Sequence, residues 1–430
     1  MQQELNNPKV LKAWTFYDWA NSVYSLSIAS AIFPAFYEEF TPKSVEIMGW
    51  SIKNTALYSY GLSLAFLIIV AIVPLLSGIA DSRGVKKPYM RFFVALGSLG
   101  CSALFWFQGS NIFFGLACFM LATVGWGASL VFYNAYLPEI ASPDRFDRLS
   151  ARGYTMGYIG SVLLLILNLM FIMKSDWFGL PSPKESTLAF RVGFLTVGVW
   201  WMGWSLYPLW VLPKDRKTSK SSPIWKGYQE LKQVFLSLRE MPQTQRYLTA
   251  FFVYTMGVQT VIYVAALFGK NVLELESKDM IITILLIQLI GIAGAYFFAW
   301  LADKKGNRYS LSATLAIWVL VCILAYFLEP RKPMQFFGLA CLVGTVMGGV
   351  QSLSRATYAK LIPGDKDNTS YFSFYEVAEK LAIVLGTLCW GLIDNISGDM
   401  RNSILLLMVF FLIGMVLLRR VNSPKLAAKS

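Results

Sequence analysis

Histidine is absent from all 430 residues, and only 15% of positions carry a charge. The first absence removes imidazole as general base, as metal ligand and as near-neutral proton switch. The second lies well below the roughly 25% charged residues of soluble domains, and no charged stretch is long enough to hold such a domain. Cysteine is scarce as well. Cys101, Cys118, Cys322, Cys341 and Cys389 all fall in apolar stretches and no two have CxxC spacing, so they read as small buried hydrophobes rather than a redox or disulfide set. No Gly-x-x-x-x-Gly-Lys-[Ser/Thr] run occurs, which argues against ATP-driven work. No Ser or Cys nucleophile is accompanied by a base, so enzyme chemistry is not expected, nor is a metal or other cofactor. The start of the chain is polar and is followed by a long apolar stretch without an Ala-x-Ala-like site, which reads as a retained helix rather than a cleaved signal.

Apolar residues, by contrast, fill 56% of the chain. A helix needs about 20 of them to cross a hydrocarbon layer of about 30 Å, and such stretches recur. The first opens at Asn7-Pro8, an N-cap followed by proline at the first helical position. Others cover 56–80, 89–108, 111–137, 152–173 and 188–211, then 246–269, 279–301, 309–328, 334–358, 371–394 and 402–420. The expected fold is an all-α integral membrane protein with twelve transmembrane helices in two pseudo-symmetric six-helix bundles, 1–211 and 246–430.

Between them, 212–245 reads as a linker: a charged, Ser-rich tether from Lys214 to Pro223, then an amphipathic helix. In that helix Ile224, Trp225, Tyr228, Leu231, Phe235 and Leu238 share one face, and Lys226, Glu230, Lys232 and Arg239 fill the other. It is expected to lie on the cytoplasmic membrane surface; a partner-binding helix is the alternative.

The formal charge of +13 could suggest nucleic acid, but its distribution says otherwise. Roughly 28 of the 38 Lys and Arg fall on one side of the predicted spans, the side of both termini, which assigns that side to the cytoplasm. No basic domain stands apart from the membrane, so no nucleic-acid partner is expected. The short loops favour a bacterial inner membrane, and a monomer is expected.

The halves repeat each other. Asp81-Ser-Arg-Gly-Val-Lys-Lys follows the second span and Asp303-Lys-Lys-Gly-Asn-Arg the eighth, 222 positions apart (303 − 81). The same offset aligns Tyr136, before Pro138, with Tyr358, before Pro363. Lys12-Ala-Trp-Thr-Phe-Tyr17 in the first span also resembles Leu248-Thr-Ala-Phe-Phe-Val-Tyr254 in the seventh. In each repeated loop the glycine permits a tight reversal, the basic residues stay at the headgroups, and the aspartate can accept from backbone N–H groups at a neighbouring helix start. An ordinary charged turn would explain one such loop less strainedly than two.

Polar groups inside the spans are costly and point to a bundle interior or wet cavity. In the first span Asp18, Ser22 and Ser25 share a face, with Asn21 beside them. Asp18 is a candidate for amine binding or proton coupling, or a structural partner of Arg152 or Arg355. The seventh span offers Gln259, Thr260 and Tyr263, and the tenth Gln351, Ser352 and Arg355. The eleventh has Tyr375-Glu-Val-Ala-Glu-Lys380, where Glu376 and Lys380 can neutralise each other at i, i+4 and Glu379 is left over. Exposure of this group at the cytoplasmic mouth is the alternative to a coupling role. The glycines at 153, 157 and 160, and those at 344, 348 and 349, read as packing stripes for close helix approach.

Tyr17-Asp-Trp-Ala-Asn-Ser, Gly257-Val-Gln-Thr-Val, Arg152-Gly-Tyr-x-x-Gly-Tyr-x-Gly and Gly348-Gly-x-Gln-x-Leu-Ser-Arg355 resemble one branch of the major facilitator transporters. That branch is the unknown-major-facilitator family, which includes the fungal vacuolar amino-acid effluxers. The resemblance runs over nearly the whole chain. It implies efflux or exchange of amino acids or similar metabolites, with cytoplasmic latches in which Asp81 faces the start of the eleventh helix near Thr369 and Ser370, and Asp303 the start of the fifth near Ser150. Ser77, Ser82 and Ala299 depart from the usual loop motif. Met256 stands where many relatives carry an acid, so any role of that acid is lost here.

Together these readings predict a secondary transporter working by alternating access. Asp18, Asn21, Ser25, Gln259, Tyr263, Gln351 and Glu376 would line the path of a small-molecule substrate, with protons as the candidate coupling ion. Asp81, Arg83, Asp303, Arg308 and Arg355 would gate or latch it. A lipid or lipophilic-drug flippase on the same fold predicts instead an apolar cavity with lateral openings. A non-transporting receptor or scaffold would need neither the paired latches nor the buried acids.

Overall fold

The computed structural model describes residues 5–47, 49–183, 185–215, 224–363 and 368–422. The extreme termini, the tether 216–223 and the loop around Lys366 lie outside the described residues, so the expected positions of the termini and tether are not drawn from it.

The first membrane helix begins as α1 (Pro8–Val23), where Asn7 Oδ1 accepts from the Lys9 and Val10 amides and Pro8 occupies the first turn. It continues through a π-helical segment, Tyr24–Ile32, into α2 (Phe33–Phe40). In the wide segment the Ser30 hydroxyl donates to the Ser25 carbonyl, five residues back. Then come α3 (Asn54–Arg83), α4 (Lys87–Ala103), α5 (Ile112–Asn134), the short α6 (Leu137–Ile140), α7 (Phe146–Met173) and α8 (Leu188–Val211). The second half follows α9 (Ile224–Glu240) with α10 (Pro242–Asn271), α11 (Ser277–Lys305), α12 (Asn307–Tyr326), α13 (Pro333–Leu361), α14 (Asn368–Ser397) and α15 (Met400–Leu418).

Among the described residues nine helices are long and apolar enough to cross a membrane by length and composition. The first helix with its change of winding, the Trp-rich α8 and the charge-bearing α14 complete twelve. One feature departs from the all-helical expectation: Ser44–Ile47 and Trp50–Lys53 form an antiparallel hairpin, β1 and β2, pairing Ser44 with Lys53. Gly49 turns it at φ +81°.

All chain reversals at the ends of α3, α5, α11 and α13 lie on the face where α1 begins, here called the basic face; the hairpin marks the opposite one. Within the first half α1 packs on α7 and α8, and α4 on α5 and α8; within the second α10 packs on α14 and α15, and α11 on α13. Between the halves α3 meets α14, α5 meets α14, and α7 meets both α11 and α13. The repeated loops end their helices alike: Gly84 caps α3 at φ +64° and Gly306 caps α11 at φ +84°, conformations in which a Cβ would be strained.

The linker helix forms as expected over Ile224–Glu240, but its apolar stripe is only partly turned inward. Val234 and Leu238 are buried, whereas Trp225, Tyr228 and Phe235 remain exposed. The helix lies against α3, α10 and α14, and what it buries there is set by its neighbours rather than by its own periodicity.

Candidate functional site

A water-accessible chamber of about 140 Å³ lies between the halves, room for about five water molecules at about 30 Å³ each. Asp18, Asn21, Ser25, Gln259, Tyr263, Gln351 and Glu376 all line it. They converge because α1, α10, α13 and α14 each turn their polar positions away from lipid, where an unpaired charge or amide has no partner. The π-helical segment contributes Tyr24, Ser25, Leu26, Ala29 and Ser30 to the wall.

Two charged groups dominate the chamber. In the first, Arg355 reaches from α13 into the first half. Its Nη1 and Nη2 donate to Asp18 Oδ2 at 3.3 and 3.2 Å, its Nε to the Ser150 hydroxyl at 2.8 Å, and its Nη2 to the Ser150 carbonyl at 3.0 Å. The Tyr133 hydroxyl gives Asp18 Oδ2 a further bond at 2.8 Å. Rings of Trp14, Tyr133 and Tyr154 pack around the guanidinium at 4.7, 5.5 and 4.5 Å. Asp18 therefore pairs with Arg355 rather than Arg152.

The second group sits on α14. Lys380 Nζ donates to Glu376 Oε2 at 2.9 Å and to Glu379 Oε2 at 2.7 Å, and lies 5.0 Å from the Trp126 ring. Glu379 accepts from Gln259 Nε2 at 2.7 Å, and Glu376 from Asn134 Nδ2 at 2.9 Å. Lys380 is wholly buried, so the group faces the interior rather than an open mouth. Two carboxylates share one ammonium here.

The other predicted residues are held more locally. Asn21 Nδ2 donates to the Tyr17 carbonyl and the Ser25 hydroxyl to that of Ser22, both within the first helix. Gln351 Oε1 accepts from the Tyr158 hydroxyl of α7 at 2.9 Å. Tyr263 lines the chamber beside Gln259.

The expected latch residues divide. Asp81 Oδ2 accepts from the Ser370 amide at 2.7 Å, so a carboxylate of the first half caps the start of α14. Asp303 meets the start of α7, accepting from Arg148 Nε at 2.6 Å in its first turn, while Ser150 itself accepts from Arg355. Arg308 donates to the Val421 carbonyl and so binds its own half rather than the opposite one. Arg83 sits half-buried at the last turn of α3.

Several groups at the half interface were not singled out from sequence. Asp147 binds Lys360 and accepts from Asn307 Nδ2 at 2.6 Å, and Glu139 binds Lys86 and accepts from Asn368. Asn134 bonds to both charged groups; Glu379 and Lys380, already read from the sequence as neighbours of Glu376, complete the second. Asn134 closes α5 just before the helical winding breaks, so spacing alone does not give its orientation.

Gly153 explains one packing stripe chemically. A Cβ there would overlap Asp18 Oδ2 and lie 2.9 Å from Arg355 Nη2. The missing side chain makes room for the ion pair. Gly157 and Gly160 likewise face Ser22 and Trp19 of α1.

A second cavity, of about 160 Å³ and almost wholly apolar, adjoins the chamber and is lined mostly by the second half. The two share Leu26, Ser30, Ile262, Gln288 and Met347 along a seam. Among the described residues no grouping of acids and cysteines could hold a metal ion.

The architecture is that of solved major facilitator transporters. It superposes on FucP in the outward conformation with a TM-score of 0.71, at 14% identity and covering 97% of this chain and 99% of that one. The proton:xylose symporter XylE gives a TM-score of 0.73 at 12% identity, with 96% of each chain covered.

Residues 6–429 match the family described as vacuole effluxer Atg22 like, and the chain belongs to that family of transporters. It is 29% identical over 408 residues to an uncharacterized MFS-type transporter, YxiO, of Bacillus subtilis (strain 168), covering 94% of this chain and 93% of that one. It is 24% identical to autophagy-related protein 22 of Saccharomyces cerevisiae (strain ATCC 204508 / S288c), covering 96% and 90%.

Proposed function

We propose that this chain is a secondary active transporter that carries a small polar metabolite with an amino group, such as an amino acid, by alternating access coupled to a proton gradient. The observation that carries the reading is the chamber between the halves, where Asp18, Arg355, Glu376, Glu379 and Lys380 converge. Three carboxylates and two cations leave one negative charge unmatched when all are ionised. An ammonium group or a proton would balance it, and a small polar cavity suits such a substrate.

The basic face is closed by contacts between the halves: Asp81 with Ser370, Arg148 with Asp303, Asp147 with Lys360, and Arg355 with Asp18. On the hairpin face the ion pair between the halves among the described residues is Lys270 with Glu38, at 3.6 Å and exposed. We read this as a state sealed on the basic face. The positive-inside rule supports a cytoplasmic basic face; in this reading both termini are cytoplasmic, the membrane is a bacterial inner one and the protein acts as a monomer. The two halves, 1–211 and 246–430, would be the rocking units and 212–245 their tether.

A lipid or lipophilic-drug carrier is the second reading, favoured by the apolar cavity beside the chamber. The five charged groups of the chamber count against it, because an acyl chain passing them offers no compensating partner.

Uptake into proteoliposomes under an imposed pH gradient, screening amino acids first, tests the proposal, with fluorescent-lipid scrambling as the parallel assay. Accumulation of an amino acid that Asp18→Asn and Glu376→Gln both abolish supports it. Gradient-driven uptake surviving both substitutions, or lipid scrambling without solute uptake, overturns it.

A further inference from the structure

Asn134 is the last residue of α5 and is buried between the two charged groups of the chamber. Its Nδ2 donates to Glu376 Oε1 at 2.9 Å, and its Oδ1 accepts from Arg355 Nη1 at 3.4 Å. A carboxylate requires a donor and a guanidinium requires an acceptor, and a primary amide supplies the two on separate atoms. Its orientation is therefore dictated from both ends. The bonds run without interruption from Glu379 through Lys380, Glu376, Asn134 and Arg355 to Asp18.

We propose that Asn134 is a positioning residue that relays the charge state of the Glu376–Lys380–Glu379 group to the Arg355–Asp18 pair holding the basic face shut. The inference rests on the gradient-coupled transport proposed above and adds the path by which a bound proton reaches the latch. With Glu376 ionised, the amide nitrogen is held to it and the amide oxygen is turned to Arg355. A proton bound at Glu376 Oε1, the oxygen that Lys380 does not hold, makes it a donor and removes its hold on the Asn134 nitrogen. The amide is then free to turn, Arg355 loses an acceptor, and the cross-half pair loosens. Acidification of the chamber thus favours opening of the basic face.

Several other groups stand near enough to share the field at Glu376. Lys380 and Glu379 do so from α14 itself, Asp18 from α1 and Arg355 from α13, and the tyrosines at 154 on α7 and 263 on α10 also line the chamber. α3 faces it with Leu62 and Phe66.

Hydrogen–deuterium exchange of the full-length protein in lipid nanodiscs tests the relay without any substrate. The reporters are the peptides covering the start of α7 around Ser150 and the end of α13 around Arg355. In the wild type, exchange corrected for intrinsic rates should be about fivefold faster at about pH 6 than at about pH 8, as the latch opens locally. Asn134→Leu, which is similar in size but carries neither bond, should exchange at one rate at both values. Asn134→Ala serves where the larger side chain prevents folding. Glu376→Gln with Asn134 intact should show the acid-like rate at about pH 8, and adding Glu376→Gln to Asn134→Ala should change nothing more. A wild type insensitive to pH, an Asn134 variant with the full pH response, or additive effects in the double variant each overturn the relay. Wild-type protein that shows the pH response yet accumulates no amino acid under a gradient strikes the transport reading and leaves the relay standing. Gradient-driven accumulation with pH-insensitive exchange strikes the relay alone.

Discussion

Arg355 and Asp18, 337 positions apart in the chain, meet at 3.2 Å between Nη2 and Oδ2 with both side chains almost fully buried. One comes from each half of the molecule, so the pair exists only while the basic face is closed. Removing one partner of a buried pair leaves the other without compensation, at a cost of about 3–5 kcal/mol. Arg355→Ala is therefore expected to lower the thermal unfolding midpoint in detergent far more than the double variant Asp18→Asn/Arg355→Gln, which leaves no stranded charge. Equal losses for the single and double variants would show that the ion pair does not hold the halves together.

Gly153 gives a test that leaves both charges in place. Its hydrogen faces the Asp18–Arg355 pair where a methyl group would overlap the carboxylate. Gly153→Ala should push α7 from α1 and weaken the pair, although alanine is intrinsically the better helix former by about 1 kcal/mol. Gly203 on α8 has nothing within 4 Å of a Cβ, so Gly203→Ala should be neutral or slightly stabilising. Thermal unfolding of the two variants side by side checks this; a Gly153→Ala protein as stable as Gly203→Ala removes the steric argument.

The repeated loops are equivalent in sequence but not in the contact they make. Asp81 accepts from the Ser370 amide at the start of α14 across the half interface, while Asp303 pairs with an Arg148 side chain that is 74% exposed. Loss of a carboxylate cap typically costs about 1 kcal/mol, and an exposed ion pair contributes about 0–1 kcal/mol and fades with salt. Asp81→Ala should thus destabilise the closed basic face at any ionic strength. Asp303→Ala should have a smaller effect that vanishes in high salt. Cysteine-reactive labelling of a basic-face position at low and high salt reads the difference, and a salt-sensitive Asp81→Ala defect would contradict it.

Much of this arrangement was legible in the chain. Apolar runs located the membrane helices because lipid penalises every exposed polar group along about 20 residues, and α8 spans the expected 188–211. Helix ends were less legible where charge continued beyond the apolar slab: α7 starts at Phe146, six residues before the apolar run, because Asp147, Arg148 and Arg152 stay helical in the headgroup zone. The hairpin at 44–53 was missed because four-residue strands carry too few alternations to register. Convergence of the seven polar residues on one chamber followed from a single constraint, the cost of placing them in lipid. Their partners did not follow: whether Asp303 meets Ser150 or Arg148, or Arg308 meets the other half or Val421, depends on about an ångström of helix placement. Asn134 shows the same limit, since its role rests on which way an amide points.

Lys380 offers a last test. It lies between Glu376 and Glu379 at 2.9 and 2.7 Å and is fully buried. Lys380→Gln removes the charge and shortens the side chain by one atom, leaving two carboxylates side by side with no cation between them. Breaking a buried charge group by removing one partner costs about 3–5 kcal/mol, so Lys380→Gln should lower the thermal unfolding midpoint clearly. Adding Glu379→Gln removes one of the two like charges, and the double variant should recover part of that loss. Thermal unfolding of the wild type, Lys380→Gln and Lys380→Gln/Glu379→Gln side by side checks this. If the double variant is no more stable than Lys380→Gln, the two glutamates do not share one ammonium, and the charge balance proposed for the chamber fails.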